Sequence, residues 1–184
     1  MRWINEPKNW CIEDKQIIVR TEEKTDFWRK THYDFICHNG HFYFEHLDGD
    51  FEMQVKITGN YRDLYDQAGL MLRYDDKTWI KCGIEYVSGV QQASVVVTRD
   101  YSDWSVVPLR DNPISAYFKL AKMGNAVEIS CSYDGSLFEV IRLTYYAGET
   151  DVGIMCASPH GKGFDVIFED FRIVQTDKRQ VVGM

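Results

Sequence analysis

The chain has 184 residues, a length that suits one domain able to bury a core of its own. Hydrophobic residues make up 45% and aromatic residues 14%, which excludes a disordered chain and leans toward β structure. A formal net charge of −7 excludes a general binder of nucleic acid or of anionic membranes, because both need a positive field.

The opening residues MRWINEPKNW hold no apolar stretch of the secretion-signal kind, and no segment approaches transmembrane length. A cytoplasmic location is therefore expected. The five cysteines (Cys11, Cys37, Cys82, Cys131 and Cys156) are odd in number, far apart and free of any CxxC pair. That spacing suits neither a zinc finger nor a disulfide framework, and it leaves reduced cysteines used as small apolar residues. Composition changes nowhere along the chain, so one domain is expected over residues 1–184, with 175–184 as a C-terminal tail.

In chain order, the first clear strand is Ile17 to Arg20, expected to pair with the last strands. The stretch from Thr31 to His46 then holds four of the five histidines, His32, His38, His41 and His46. A two-residue turn at Asn39-Gly40 would set His38 opposite His41 and place Phe35, Cys37, Phe42 and Phe44 on one face. A second tight turn at Asp48-Gly49 would add Phe51, Met53, Val55 and Ile57 to that face and turn Tyr43, Glu45, Glu52, Gln54 and Lys56 to water. Strand rise of about 3.3 Å per residue separates His32 from His38 by roughly 20 Å, too far to share an ion. His46 points to the other face, and Lys56 beside His38 and His41 would repel a metal. No metal site and no cofactor are expected here.

Residues 68–99 read as a meander. A three-residue loop at 75–77 and a Ser88-Gly89 turn place Leu70, Leu72, Tyr74, Ile80, Cys82, Ile84, Ala93, Val95 and Val97 on one face. Further on, Val127, Ile129 and Cys131 turn at Asp134-Gly135 to meet Phe138 and Val140, and strands near 151–157 and 164–174 follow. Many short alternating runs with turn dipeptides about every ten residues mean a β-sandwich or barrel.

The other face of the meander carries the chemistry. It presents Gln67, Met71, Arg73, Trp79, Lys81, Glu85, Gln92, Ser94 and Thr98. Arg73 and Trp79 become cross-strand neighbours that could form a cation–π pair. An open tryptophan among charged and amide side chains suits a sugar, whose ring stacks on the indole while its hydroxyls take polar partners. The same composition also fits an ordinary outer sheet face. Three rim segments, Phe27-Trp28-Arg29, Tyr61 to Asp66 and Tyr101 to Trp104, add rings and charges of the kind found on binding surfaces and also in sandwich plugs.

Catalysis asks for more. A glycosidase needs two carboxylates at set separations, and only Glu85 sits firmly on the face, with Asp66 or Asp103 as loop candidates. The paired acidic motif E-x-D-x-x-E, G-x-S-x-G, phosphate-loop and dinucleotide motifs are absent, and Cys37 and His38 as strand neighbours point apart. The residues therefore read as a non-enzyme, with glycoside chemistry kept as an alternative.

The segments DFWRKTHYDF (26–35), NGHF (39–42), LYDQAGLMLR (64–73), WIKCGIEYVSG (79–89), VVVTRDYSDWSVVP (95–108) and MCASPHGKGFDVIFEDF (155–171) resemble the small "regulation of enolase"-like family, over nearly the whole chain. The resemblance implies an all-β, concanavalin A-like jelly-roll sandwich of two antiparallel sheets, soluble and without a signal peptide. That fold also occurs in lectins, glucanases and carbohydrate-binding modules, an analogy of fold alone. The positions that match the family's motifs are Trp28, Arg29, His32, Asp66, Gln67, Trp79, Lys81, Glu85, Arg99 and Trp104; with Arg73 they form the candidate ligand-binding set. The expected ligand is a carbohydrate or sugar-phosphate-like metabolite. A metabolic-enzyme partner, implied by the family name, is the alternative.

Overall fold

A computed structural model describes residues 1–176. Sixteen strands follow in order: β1 (Arg2–Ile4), β2 (Asn9–Glu13), β3 (Gln16–Arg20), β4 (Phe27–Arg29), β5 (Ile36–His38), β6 (His41–Leu47), β7 (Asp50–Gly59), β8 (Gln67–Arg73), β9 (Thr78–Val87), β10 (Val90–Arg99), β11 (Tyr101–Pro108), β12 (Ser115–Met123), β13 (Ala126–Ser132), β14 (Glu139–Tyr145), β15 (Thr150–Ala157) and β16 (Asp165–Thr176). They form two seven-stranded sheets, β1-β6-β15-β8-β9-β10-β11 and β14-β13-β12-β7-β16-β3-β2, and a two-stranded ribbon, β4-β5. The result is an all-β sandwich of the jelly-roll kind. Of the tail expected at 175–184, residues 175 and 176 belong to β16, and the rest lies outside the described residues.

Alternation explains the main core. On β8, β9 and β10, Leu70, Leu72, Ile80, Cys82, Ile84, Ala93, Val95 and Val97 face inward. They meet Phe51, Met53, Val55 and Ile57 of β7 and Phe118, Leu120, Val127 and Ile129 of the second sheet. The expected meander register is the observed one, with Leu70 opposite Cys82 and Leu72 opposite Ile80. Val87 and Val90 flank the Ser88-Gly89 turn. Two-residue and three-residue loops leave no freedom to slip, so the turns set the faces. Tyr74 lies past the end of β8 and is exposed. Strand β3 pairs with β16, as the early-to-late pairing anticipates.

The 31–46 stretch folds otherwise than expected. Asn39-Gly40 does not close a hairpin: β5 pairs with β4, whereas β6 enters the first sheet between β1 and β15. Asp48-Gly49 carries the chain from the first sheet to the second, since β6 and β7 lie in different sheets. Phe42 and Phe44 therefore leave the main core and join Phe27, Met71, Trp79, Val96 and Met155 in a second cluster on the outer face of the first sheet. Tyr43 packs instead toward the main core, beside Trp3 and Trp10. Three consecutive aromatic residues are apolar on both faces, so alternation there cannot choose a side. Phe35 is exposed rather than buried. A bulge between Ile129 and Ser130 shifts the β13–β14 register, leaving Val140 exposed and Ile141 against the core; Phe138 lies under the Lys119 ammonium.

The histidines are dispersed. His32 is exposed in the 30–35 loop, and His38 Nε2 accepts from Arg29 Nη1 at 3.0 Å. His41 is buried: its Nδ1 faces Asn5 O at 2.6 Å while Nε2 accepts the Glu22 N–H at 3.0 Å, which fixes the tautomer protonated on Nδ1. Burial lowers the His41 pKa. His46 bonds Asp151 at 3.1 Å on the surface. Lys56, expected near His38 and His41, pairs with Glu169 at 3.0 Å.

Candidate functional site

The ribbon and its flanks, residues 21–40, cross the outer face of the first sheet. Left-handed backbone at Lys24, Lys30, His32 and Asp34 lets this short segment fold back on itself. Asn39 stitches it, accepting the Asp26 N–H at 2.9 Å and donating to Lys24 O at 2.9 Å. Arg29 anchors it to the β10–β11 turn through Asp100 Oδ1 at 2.7 Å, and its own N–H donates to Ser102 Oγ at 3.0 Å. Gly40 is required where the Phe27 ring crosses: a Cβ there would come within 2.4 Å of that ring.

This cover overturns one expectation. Trp79 is fully buried beneath the ribbon, edge-on to Phe27 with ring centroids 6.3 Å apart, and presents no stacking surface. Arg73 does sit opposite Trp79 in register, but the cation near that ring is Lys81, 5.7 Å from its centroid. Arg73 pairs with Asp76 instead.

Beside the ribbon a cavity of about 460 Å³ opens. Its floor follows from the strand register. Gln67 of β8 and Lys81 and Glu85 of β9 form it, whereas the row Met155, Gly69, Gly83 and Ser94 across β15, β8, β9 and β10 lies outside the lining, with Gly83, Ser94 and Met155 bordering a separate small void. A Cβ at Gly83 would come within 2.1 Å of Ala68 O, so glycine is required where β8 and β9 approach each other. Lys81 and Glu85 flank Gly83 on the same face, with Gln67 opposite Glu85. The walls come from four places: Trp28, Tyr33, Phe35 and Cys37 from the ribbon, Lys24 and Asp26 before it, Leu64 and Tyr65 from one loop, and Pro159 and His160 from another. Trp104 on β11 completes them.

The ionisable groups are ordered by the floor. Lys81 Nζ donates to Phe27 O at 2.8 Å and to Gln67 Oε1 at 2.5 Å, and lies 3.5 Å from Asp26 Oδ1. Gln67 Nε2 donates to Asp26 Oδ1 at 3.2 Å and to Tyr65 O at 3.1 Å. Glu85, only 7% exposed, accepts on one oxygen, Oε2, from Ser94 Oγ at 2.7 Å and Trp104 Nε1 at 2.8 Å. Burial pushes the Glu85 pKa up, against the pull of Lys81 and of those two donors. Tyr33 and Tyr65 join hydroxyl to hydroxyl at 3.0 Å, and that bond, with burial, pushes Tyr65 up to about 12.

Of the eleven expected residues, the cavity gathers Trp28, Gln67, Lys81, Glu85 and Trp104. The others lie elsewhere. Arg29 is buried in the ribbon's anchor, and Asp66 is fully buried, accepting the Arg62 and Asp63 N–H groups at 3.0 Å and the Ser158 hydroxyl at 2.6 Å. Asp66 thus ties together the two loops that carry Tyr65 and His160. Arg99 stands over Tyr145 at the sheet edge, and His32 packs edge-on to Tyr33 outside the lining. Asp103 pairs with Arg142 at 3.0 Å, so neither loop acid considered for catalysis joins Glu85 in the cavity. The carboxylate that does is Asp26, whose place depends on the ribbon crossing the sheet and leaves no periodic trace in the sequence. His160, in the SPHGKG run, escapes notice for the same reason.

Among the described residues, one group of metal-ligating type has its ligand atoms within 4.8 Å of one another: His46, Asp48 and Glu149, all exposed and remote from the cavity in sequence and lining. No helix among the described residues is long and apolar enough to cross a membrane.

A family model described as "Protein of unknown function (DUF1349)" matches residues 3–176. "Regulation of enolase protein 1" of Saccharomyces cerevisiae is 35% identical over 173 residues, covering 93% of this chain and 87% of the yeast protein. A crystal structure of a functionally unknown protein from Saccharomyces cerevisiae superimposes with a TM-score of 0.91 at 34% identity, covering 96% of each chain. The GH43 protein BlXynB from Bacillus licheniformis gives a TM-score of 0.72 at 17% identity, with 93% of this chain matching 36% of that one. At such low identity the last likeness establishes a shared sandwich fold and nothing of substrate.

Proposed function

We propose that this chain, which belongs to the DUF1349 family of proteins of unknown function, is a non-catalytic binding module whose cavity takes a carbohydrate or sugar-like metabolite. The observation that carries the reading is the Trp104–Glu85–Ser94 arrangement: an accessible indole beside a buried, hydrogen-bonded carboxyl in a cavity walled by further rings. Aromatic faces cover the apolar side of a pyranose, and a few convergent polar groups orient its hydroxyls. The volume of about 460 Å³ suits a mono- or disaccharide rather than a bound polymer. The stacking ring in this reading is Trp104, with Trp28, which packs against the cluster holding Trp79, facing the same space.

Thermal-shift screening against neutral sugars, amino sugars, sugar phosphates and glycolytic intermediates tests it. A ligand at a hundred times its Kd adds about 2.7 kcal/mol of stability. Trp104→Ala should abolish the shift measured against the variant's own unliganded transition, which falls because Glu85 loses the indole N–H. A screen in which no sugar class moves the wild-type transition would end the reading.

A second reading, a protein-interaction regulator of a metabolic enzyme, is favoured by the name of the yeast relative and by one surface. Val107 of β11 and Val140 and Leu143 of β14 are exposed on neighbouring sheet edges, which Arg142 links through Ser105 and Asp103. Co-sedimentation with purified enolase would test it, and separate migration at tens of micromolar would count against it.

A further inference from the structure

We propose that the ligand of this cavity carries a protonated amine, as in an amino sugar, and that its ammonium group is held by Glu85 Oε1 and Asp26 Oδ2 among the rings of Trp28, Tyr65 and Trp104. The inference rests on the reading of the cavity as a site for a sugar-like molecule and narrows its chemistry.

The argument is a balance of donors and acceptors. Lys81 is the one buried cation in the lining, and its ammonium is engaged by Phe27 O, Gln67 Oε1 and Asp26 Oδ1. The Gln67 amide is engaged at both ends, by Lys81 on its oxygen and by Asp26 and Tyr65 O on its nitrogen. The Ser94 hydroxyl and the Trp104 N–H both turn to Glu85 Oε2. The donors of Lys81, Gln67, Ser94 and Trp104 are therefore engaged within the protein. Two acceptors are not: Glu85 Oε1 and Asp26 Oδ2 make no hydrogen bond to any described residue, although Glu85 is more than nine-tenths buried and both residues line the cavity.

Such a site asks its ligand for donors. A phosphate brings acceptors and negative charge to two carboxylates, and the other lysine of the lining, Lys24, stands exposed at the rim. A neutral hydroxyl can donate, but an ammonium offers three donors, forms charge-assisted bonds roughly twice as strong as neutral ones, and is attracted by the surrounding ring faces.

Isothermal titration of the full chain at pH 7 with glucosamine, glucose, N-acetylglucosamine and glucose 6-phosphate tests this. The expected result is glucosamine binding about tenfold tighter than either neutral sugar, with glucose 6-phosphate weakest. Glu85→Gln and, separately, Asp26→Asn should each collapse the ratio of glucosamine to glucose affinity toward one. Neutral sugars binding as tightly as glucosamine, or the phosphate binding best, would overturn the amine and leave the sugar reading standing. Absence of binding by all four would overturn the amine inference and count against the sugar reading too.

Discussion

Trp104 donates its indole N–H to Glu85 Oε2 at 2.8 Å, joining an edge strand to the floor of the cavity through a carboxyl that is almost wholly buried. The bond has two consequences: it fixes the plane of the ring that the cavity presents, and it leaves the second carboxyl oxygen free. Trp104→Phe keeps a ring and removes the donor, so it should cost about 1.5–3 kcal/mol, the range for a hydrogen bond to a charged group. A double-mutant cycle with Glu85→Gln in urea unfolding should return a coupling above about 0.5 kcal/mol; strict additivity would show that the bond contributes nothing.

Trp79 is the structural counterpart. Fully buried between the sheet and the ribbon, it should behave as a core residue, with Trp79→Ala destabilising the protein by about 3–5 kcal/mol in denaturant unfolding. A cost below about 1 kcal/mol would mean that the ribbon does not cover it in solution.

Lys81 holds the ribbon's first strand to the sheet by donating to Phe27 O, and it faces Asp26. Lys81→Met would leave Phe27 O and Gln67 Oε1 without their donor and Asp26 without its cation. The expected cost is about 3–5 kcal/mol, the range for breaking a buried charged pair from one side. A stability equal to wild type in the same unfolding experiment would refute this role.

The ribbon's other anchor is sensitive to acid. Hydrogen bonds from Lys30 and then Arg29 hold the Asp100 carboxyl below its ordinary value of 3.8, at about 2. Because the folded-state pKa is depressed, the anchor's contribution is fully present above the ordinary value and is lost as pH falls through it toward about 2. Asp100 has left-handed backbone, which Asn tolerates, so Asp100→Asn removes the charge without straining the turn. Wild type should exceed this variant in stability at pH 6, with the gap closing between pH 4 and pH 2. A gap independent of pH over that range would show that the ion pairs do not matter.

The meander was legible because its turns are short and one face of it is uniformly apolar. Leu70, Cys82 and Val95 could occupy only one register, and with it came the grouping of Gln67, Lys81, Glu85 and Ser94 on the opposite face. Residues 31–46 were not legible. Phe42, Tyr43 and Phe44 are apolar toward both sides, so the pattern carries no information about which side meets the core, and Asn39-Gly40 reads as a hairpin although its flanking strands take different partners.

Alternating apolar residues and turn chemistry by themselves determined that this chain is a β-sandwich and which side chains share a sheet face, because both depend only on a period of two and on loop length. Whether that face meets water or a covering segment was decided by tertiary structure alone. The ribbon crosses β8–β10 through long-range bonds such as Arg29 to Asp100 and Lys81 to Phe27. By burying Trp79 and bringing Asp26 beside Glu85, it turned an outer face into a cavity, and no local pattern records where a segment fifty residues away will come to rest.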